Sequence, residues 1–323
     1  MIKVGILGAG GMGNVHARHY RKMSDVEIYF FDPLTDKSEA FAKQWHATPL
    51  GSPEEVIQRC DVVDVCLPTD MHLEAGLKAI AAGRAVFMEK PMAKTVEECA
   101  TLIEAATKAN VPLSVGQVVR FFAEFKTGNR LVKNGAVGTP AAARTRRGGL
   151  APLGSRGWFQ DHARSGGVLL DLAVHDFDWL RWTLGEVKHL YSRSIGIQTG
   201  SGPDYALTTL TFESGCVAHV EATWMDPNGY RTTFEVAGNK GLIQHDSRTN
   251  AALKTTFDGK TVTDNALAPQ DDPYFLQLSA FLTAVKNGTD PVVSGYDGAM
   301  AVSIALAAVE SAKTGNVVTP ARI

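Results

Sequence analysis

The chain has 323 residues, a length that fits two domains of ordinary size better than one. Its hydrophobic fraction of 45% and charged fraction of 20% are ordinary for a globular protein with a buried core. With 32 basic and 34 acidic residues and a net charge of −2, it carries no electrostatic footprint for nucleic acid or an anionic membrane.

The opening Met-Ile-Lys-Val-Gly-Ile-Leu-Gly lacks the basic and long apolar regions of a secretory leader. No apolar stretch is long enough to span a bilayer, so a cytoplasmic protein is expected. Cys60, Cys66, Cys99 and Cys216 form no Cys-x-x-Cys pair and no zinc-type spacing, which predicts reduced, mostly buried thiols and no metal.

Five apolar runs, 2–8, 26–32, 62–68, 85–91 and 112–118, have the composition of strands buried on both faces. Helical patterns separate them. Asn14–Met23 follows the first run, and Ser52-Pro53-Glu54-Glu55 offers an N-cap, a proline at the first helical position and a capping-box glutamate. Leu73–Ala82 stops at Gly83, and Thr95-Val96-Glu97-Glu98 is a second capping box. This alternation predicts an α/β, doubly wound parallel sheet of Rossmann type.

Gly8-Ala9-Gly10-Gly11-Met12-Gly13 closes the first strand and fits G-x-G-x-x-G. Gly8 permits the tight turn, Gly10 the approach of a pyrophosphate, and Gly13 close packing of helix on strand. The helix that follows aims free N–H groups and its positive dipole end at the phosphates. Asp32 ends the second strand, 22 residues after Gly10. A carboxylate there accepts hydrogen bonds from the ribose hydroxyls of NAD and repels the extra phosphate of NADP. Pro33, Leu34 and Thr35 follow, with no arginine, so NAD is favoured; the other reading of Asp32 is a turn residue before proline.

From about Gly138 the pattern changes to successive strands, 191–199, 206–213, 216–223 and 232–237. Gly200–Pro203 reads as a loop and Phe257–Lys260 as a hairpin turn. Strands without intervening helices indicate an antiparallel sheet in an α+β domain. Tyr274–Lys286 and Asp297–Lys313 read as helices, the second ending near Gly315. The domains expected are 1–119, binding dinucleotide, and 120–323, binding substrate. The basic cluster Arg144, Arg146 and Arg147 reads as a solvated loop or strand edge.

These motifs together resemble the Gfo/Idh/MocA family, which contains glucose-fructose oxidoreductase and inositol dehydrogenases. The glycine loop with His16-Ala17 is similar to that family's nucleotide loop, and Leu67-Pro68-Thr69 with His72 to its third-strand motif along the dinucleotide. Glu89-Lys90-Pro91 matches its signature tripeptide and Arg120-Phe121 a pair after the fifth strand. Gly166-Gly167-Val168-Leu169-Leu170-Asp171-Leu172-Ala173-Val174-His175-Asp176 is similar to its second signature, with Val168 where the family has a third glycine, a departure expected to alter loop shape slightly. The resemblance implies cofactor contacts from Gly8, Gly10, Gly11, Met12, Gly13, Asp32, Leu67, Pro68, Thr69, His72, Glu89 and Lys90, and a catalytic set of Lys90, Asp171 and His175. It implies substrate contacts from Arg120, Trp158, Asp171 and His175. An open-faced C-terminal sheet and a homodimer or homotetramer formed through it are implied as well.

Lys90 follows a parallel strand at its C-terminal end, where ligands bind in such sheets. A lysine there either acts as a base once its pKa is lowered from about 10.4 or, kept charged, stabilises an alkoxide; the alternative is a surface lysine. Asp171–Leu184 reads as a helix with Asp171 and His175 four apart on one face, opposite an apolar stripe of Leu172, Ala173, Phe177, Leu180 and Leu184. Histidine, with an unperturbed pKa of about 6.5, suits a general base near neutrality. Asp171 could also be an N-cap, and Asp178 reads as a solvated partner of Arg181. Trp158 is equally a core or interface residue, Arg120 equally half of an interdomain salt bridge, and His162 and Arg164 are further pocket candidates.

The expectation is hydride transfer between NAD and a carbinol carbon of a sugar, inositol or related polyol, in either direction. Relatives that cleave glycosides through transient oxidation, and non-catalytic relatives that sense sugars, are the rivals. Retention of Lys90, Asp171 and His175 argues for an enzyme.

Overall fold

A computed structural model describes residues 1–151, 159, 161–196, 204–249, 253–257, 260–264 and 272–323. The chain divides into two compact units: Met1–Val118 with Asp271–Ala299 and Ile323, and Val119–Gln270 with Met300–Arg322. Two consecutive domains, 1–119 and 120–323, had been expected. The C-terminal return into the first unit escapes sequence reading because its contacts join residues hundreds of positions apart.

The first unit is a six-stranded sheet in the order β3-β2-β1-β4-β5-β6, every pairing parallel. Its strands are β1 (Ile2–Leu7), β2 (Val26–Phe31), β3 (Thr48–Pro49), β4 (Val62–Val65), β5 (Ala85–Met88) and β6 (Leu113–Val115). β3, two residues long, has no apolar run to announce it. β4, β5 and β6 are buried along their whole length, as strands covered on both faces must be. The order reverses between β1 and β4, and this switch point is where an open α/β sheet takes its ligand.

The N-cap half of each expected capping box forms, while Glu55 and Glu98 reach back one residue further, to the N–H groups of Gly51 and Lys94. Ser52 Oγ accepts the Glu55 N–H at the head of the helix Pro53–Arg59, and Thr95 Oγ1 accepts that of Glu98 at the head of Val96–Ala109. Each such cap is worth about 1 kcal/mol. The helix His72–Ala81 is followed by Gly83 at φ 71°. The helix Pro273–Asn287, capped by Asp272, packs on α1 (Gly11–Tyr20). There Tyr274 stacks on His19 at 6.3 Å and Phe281 meets Phe87 at 5.4 Å, closing a core with Val4, Ile6, Phe30 and Leu278.

The second unit is built on an eight-stranded sheet, β14-β13-β12-β11-β7-β10-β9-β8, antiparallel except where β10 runs parallel to β7. Its strands are β7 (Pro140–Gly148), β8 (Val187–Ser194), β9 (Tyr205–Phe212), β10 (Val217–Thr223), β11 (Arg231–Gly238), β12 (Gly241–Asp246), β13 (Leu253–Phe257) and β14 (Lys260–Asp264). β13 and β14 are antiparallel neighbours; the hairpin residues 258–259, the expected loop 200–203 and Trp158 lie outside the described residues.

β7 corrects the reading of the arginine cluster. Arg144, Arg146 and Arg147 occupy a central strand, not a loop or edge. Arg144 pairs across the ladder with Glu235 and Arg146 with Glu221, each directly opposite in register, while Arg147 points to the buried face. Cross-strand carboxylates supplied by other strands let a basic run occupy the middle of a sheet. Beneath it, Phe125, Trp179 and Phe234 pack ring to ring, and Trp179 Nε1 donates to the Phe125 carbonyl. The last helix runs Gly295–Thr314 and is followed by Gly315 at φ 72°. Among the described residues no helix is long and apolar enough to cross a membrane, and all four cysteines are free thiols.

Candidate active site

In the first unit, β1 runs directly into the glycine loop. Gly8 has φ 99°, and a Cβ there would lie 2.7 Å from the Cys66 carbonyl oxygen, so both conformation and space require glycine. A Cβ on Gly13 would come 2.0 Å from the Gly8 carbonyl oxygen, the close helix–strand packing expected of the third glycine. Cβ atoms on Gly10 or Gly11 would meet nothing within 4 Å, so the space over these two residues is open. The first turn of α1 carries no acidic side chain, and its leading N–H groups lack i→i−4 partners. This is a cradle shaped for an anionic pyrophosphate.

Two side chains stiffen the loop. Asn14 Nδ2 donates to the carbonyls of Ala9 and Gly10, and Asn14 Oδ1 accepts from Trp45 Nε1. Asp32 Oδ2 accepts the Ala9 N–H at 2.9 Å and Oδ1 the Leu34 N–H at 2.9 Å. Asp32 is therefore the turn residue, with its carboxylate fixed beside the glycine loop. Asn14 was missed, and its only signal was a small amide just behind Gly13. The residues fit a dinucleotide: Gly10, Gly11, Met12 and Gly13 would face the pyrophosphate and Asp32 the ribose hydroxyls.

Leu67 lies over the loop, its Cδ2 3.4 Å from where a Gly8 Cβ would stand, and Pro68 and Thr69 continue into a short 3-10 turn. His72 is buried, with Nδ1 3.0 Å from the Pro91 carbonyl oxygen and Nε2 2.8 Å from that of Leu67, so both ring nitrogens face backbone carbonyls. Burial lowers its pKa while the two carbonyls pull it back up. It ties the Leu67 segment to the segment that carries Lys90.

Lys90 follows β5 directly and is half-buried. Glu89 is turned inward: Oε2 accepts the Lys90 N–H at 3.1 Å, and Oε1 lies 3.1 Å from His16 Nε2. Its carboxylate lies in the interior. His16 Nδ1 is in turn 2.8 Å from Asp64 Oδ2, and the Cys66 thiol lies 3.3 Å from both Asp64 Oδ1 and His16 Nδ1. Burial works against charge on His16, but Asp64 and Cys66 outweigh it and hold the ring protonated well above its ordinary range. His16, Asp64 and Cys66 are the grouping of metal-ligand type among the described residues, their donor atoms within 4.8 Å of one another. Those atoms already lie at hydrogen-bonding distance from each other. Asp64 was hidden because it interrupts an apolar strand that otherwise reads normally.

In the second unit, the expected single helix 171–184 is two. Gly167–Asp171 and Val174–Leu184 are separated at Leu172 and Ala173, whose N–H groups both turn back to the Val168 carbonyl. Asp171 thus ends one helix, and is not an N-cap, while His175 opens the next; both are buried. Gly166 and Gly167 have φ 75° and 67°, and Val168 follows without a positive φ, so the missing third glycine leaves the loop intact.

The buried Asp204 holds this junction by accepting from the Val168 N–H at 2.9 Å, the Gly196 N–H at 2.8 Å and Ser194 Oγ at 3.0 Å. A Cβ on Gly167 would lie 2.8 Å from its Oδ2, and His162 Nε2 stands 3.9 Å from the same oxygen.

The expectation for Asp178 on the histidine helix is also corrected. Asp178 is not solvated beside Arg181. It is buried and accepts from Arg120 Nε at 2.7 Å and Nη2 at 2.6 Å, while Arg181 pairs with Glu186. Arg120, expected at substrate, makes this ion pair inside one unit. Asp176 is buried against Arg147, Nε to Oδ2 at 2.7 Å; burial pushes its pKa up and Arg147 pulls it back. His175 is thus flanked one and three residues on by carboxylates neutralised by arginine.

Comparison with known proteins agrees with this geometry. Residues 2–117 match the model of an oxidoreductase family with an NAD-binding Rossmann fold, and residues 125–244 the GFO/IDH/MocA C-terminal domain. The chain is 30% identical to myo-inositol 2-dehydrogenase of Thermotoga maritima, covering 96% of each chain. It is 31% identical to 1,5-anhydro-D-fructose reductase of Ensifer adhaerens over 82% of this chain and 81% of that one. In fold it is similar to levoglucosan dehydrogenase solved with NADH, at TM-score 0.89, 23% identity and 100% coverage of both chains. The chain belongs to the GFO/IDH/MocA family of NAD-binding oxidoreductases.

Proposed function

We propose that this NAD-dependent oxidoreductase exchanges a hydride with a carbinol carbon of a sugar, inositol or related polyol, using Lys90, Asp171 and His175. The observation that carries the reading is the placement of Lys90 at the C-terminal end of β5, in the same parallel sheet whose β1 ends in the open glycine cradle beside Asp32. Two relatives named for an inositol and an anhydro sugar support the substrate class.

NAD, when bound, supplies the hydride acceptor. His175 takes the hydroxyl proton as the carbinol C–H electrons leave. Lys90 holds the substrate oxygen and stabilises its developing negative charge. Asp171 orients the hydroxyl and the imidazole. Asp32 selects NAD over NADP through its two backbone-anchored oxygens. Trp158 completes the substrate contacts in this reading. A small polyhydroxylated substrate, a cytoplasmic setting and a homodimer or homotetramer through the C-terminal sheet complete the proposal.

The test is NADH formation with NAD or NADP against a panel of inositols and aldoses. Turnover with NAD and one substrate class, lost in Lys90→Met, supports the reading. Silence across the panel with NAD still bound overturns it, and cleavage of glycosides without net NADH replaces it by transient oxidation.

A further inference from the structure

Glu89 and His16 are buried charged groups that the proton transfer does not use. Burying such groups is unfavourable unless they are paired, so their arrangement calls for a reason. His16 sits on α1, the helix that begins in the glycine cradle, and Glu89 immediately precedes Lys90. One carboxylate oxygen of Glu89 accepts the Lys90 N–H and the other lies 3.1 Å from the protonated His16 ring, which Asp64 holds from β4. Gly116 makes room for this: a Cβ there would stand 2.7 Å from Glu89 Oε1, and its backbone has no positive φ that would require glycine. On the opposite side, His72 fixes the Pro91 carbonyl.

We propose that His16 and Glu89 are positioning residues that tie the Lys90 segment to the nucleotide helix, so that the ammonium keeps one place relative to the dinucleotide cradle. This rests on the reading that Lys90 takes part in turnover.

The test uses the full chain and two variants. Glu89→Gln keeps an acceptor for the Lys90 N–H but removes the charge facing His16. Gly116→Ala keeps every charge and displaces the carboxylate. Lysines are labelled competitively with an acylating reagent and quantified by mass spectrometry, and turnover is measured with NAD and myo-inositol.

Each variant is expected to change the labelling rate of Lys90 by about threefold or more relative to Lys3 and Lys37. Misplacement of the ammonium is also expected to lower kcat about tenfold to a hundredfold while NAD binding and the melting temperature stay near wild type. A variant that fails to fold, seen by its melting curve, leaves the other to decide. Unchanged Lys90 labelling and kcat in the folded variants, alongside an inactive Lys90→Met, overturns the proposal and leaves the functional reading standing. Full turnover by Lys90→Met removes that reading, and the proposal with it.

Discussion

The two units fix their candidate catalytic residues by different means. Around Lys90 the buried partners are histidines: His16 between Asp64 and Glu89, and His72 against two carbonyls. Around His175 they are arginines: Arg147 on Asp176 and Arg120 on Asp178. Arginine stays charged throughout the working pH range and holds a carboxylate with a planar fork, so the histidine helix rests on permanent charge. The Lys90 segment rests on groups that gain and lose protons. The difference teaches that one unit braces its candidate residue rigidly and the other through titratable contacts, and each part of that contrast can be broken separately.

The largest expected effect is on the reaction itself. Lys90→Met is expected to lower kcat by about 10²–10⁴, measured as NADH formation, with NAD binding retained by calorimetry. Next comes the rigid brace. Arg147→Met leaves Asp176 buried without its partner and is expected to cost about 3–5 kcal/mol in urea unfolding, whereas Arg147→Met with Asp176→Leu recovers most of it. If the single variant is as stable as the wild type, the arginine brace is not what holds that helix.

Asp32→Asn is expected to weaken NAD binding by about 1.5–3 kcal/mol, since hydrogen bonds to a charged acceptor are lost, and to narrow the preference over NADP. Equal NADP use by the wild type would contradict the role given to Asp32.

The smallest effects are in pH dependence, and their signs are opposite. His16 is held above its unfolded pKa of about 6.5, so its contribution to stability is complete below that value and is lost as pH rises through the folded pKa. His72 is held below it, so its contribution is present above about 6.5 and is lost as pH falls through the folded pKa. The stability deficit of His16→Gln should therefore fade toward alkaline pH and that of His72→Gln toward acid. The titratable groups facing His16 are Asp64, Cys66, Glu89, His19 and Tyr274. Parallel deficits in the two variants would erase the contrast.

Legibility in the sequence follows the same division. The parallel sheet, the Ser52 and Thr95 helix caps and the glycine cradle were readable because each rests on residues close together in the chain. Asp32 was readable as a carboxylate, and its geometry confirms the turn that the sequence offered as the alternative. What was hidden depends on partners far apart. β7 looked like a charged loop because Glu221 and Glu235, which neutralise it, lie on β10 and β11. Asp178 was assigned to Arg181, three residues on, when its partner Arg120 lies 58 positions back. The break at Leu172–Ala173 was missed because both helices share one apolar period, and the glycines that start the segment are held by Asp204, 36 residues beyond Val168. That both ring nitrogens of His72 face backbone carbonyls could not be read from its motif.

The central claim is direct transfer of hydrogen from a carbinol carbon to NAD. It is tested most directly by incubating the enzyme with NAD and myo-inositol deuterated at the carbinol carbons, alongside other members of the inositol and aldose panel deuterated in the same way. The account predicts NADH carrying deuterium at the nicotinamide C4 and a loss of that product in Lys90→Met. Release of the deuterium to water, or no reduced cofactor from any polyol while NAD remains bound, would contradict it.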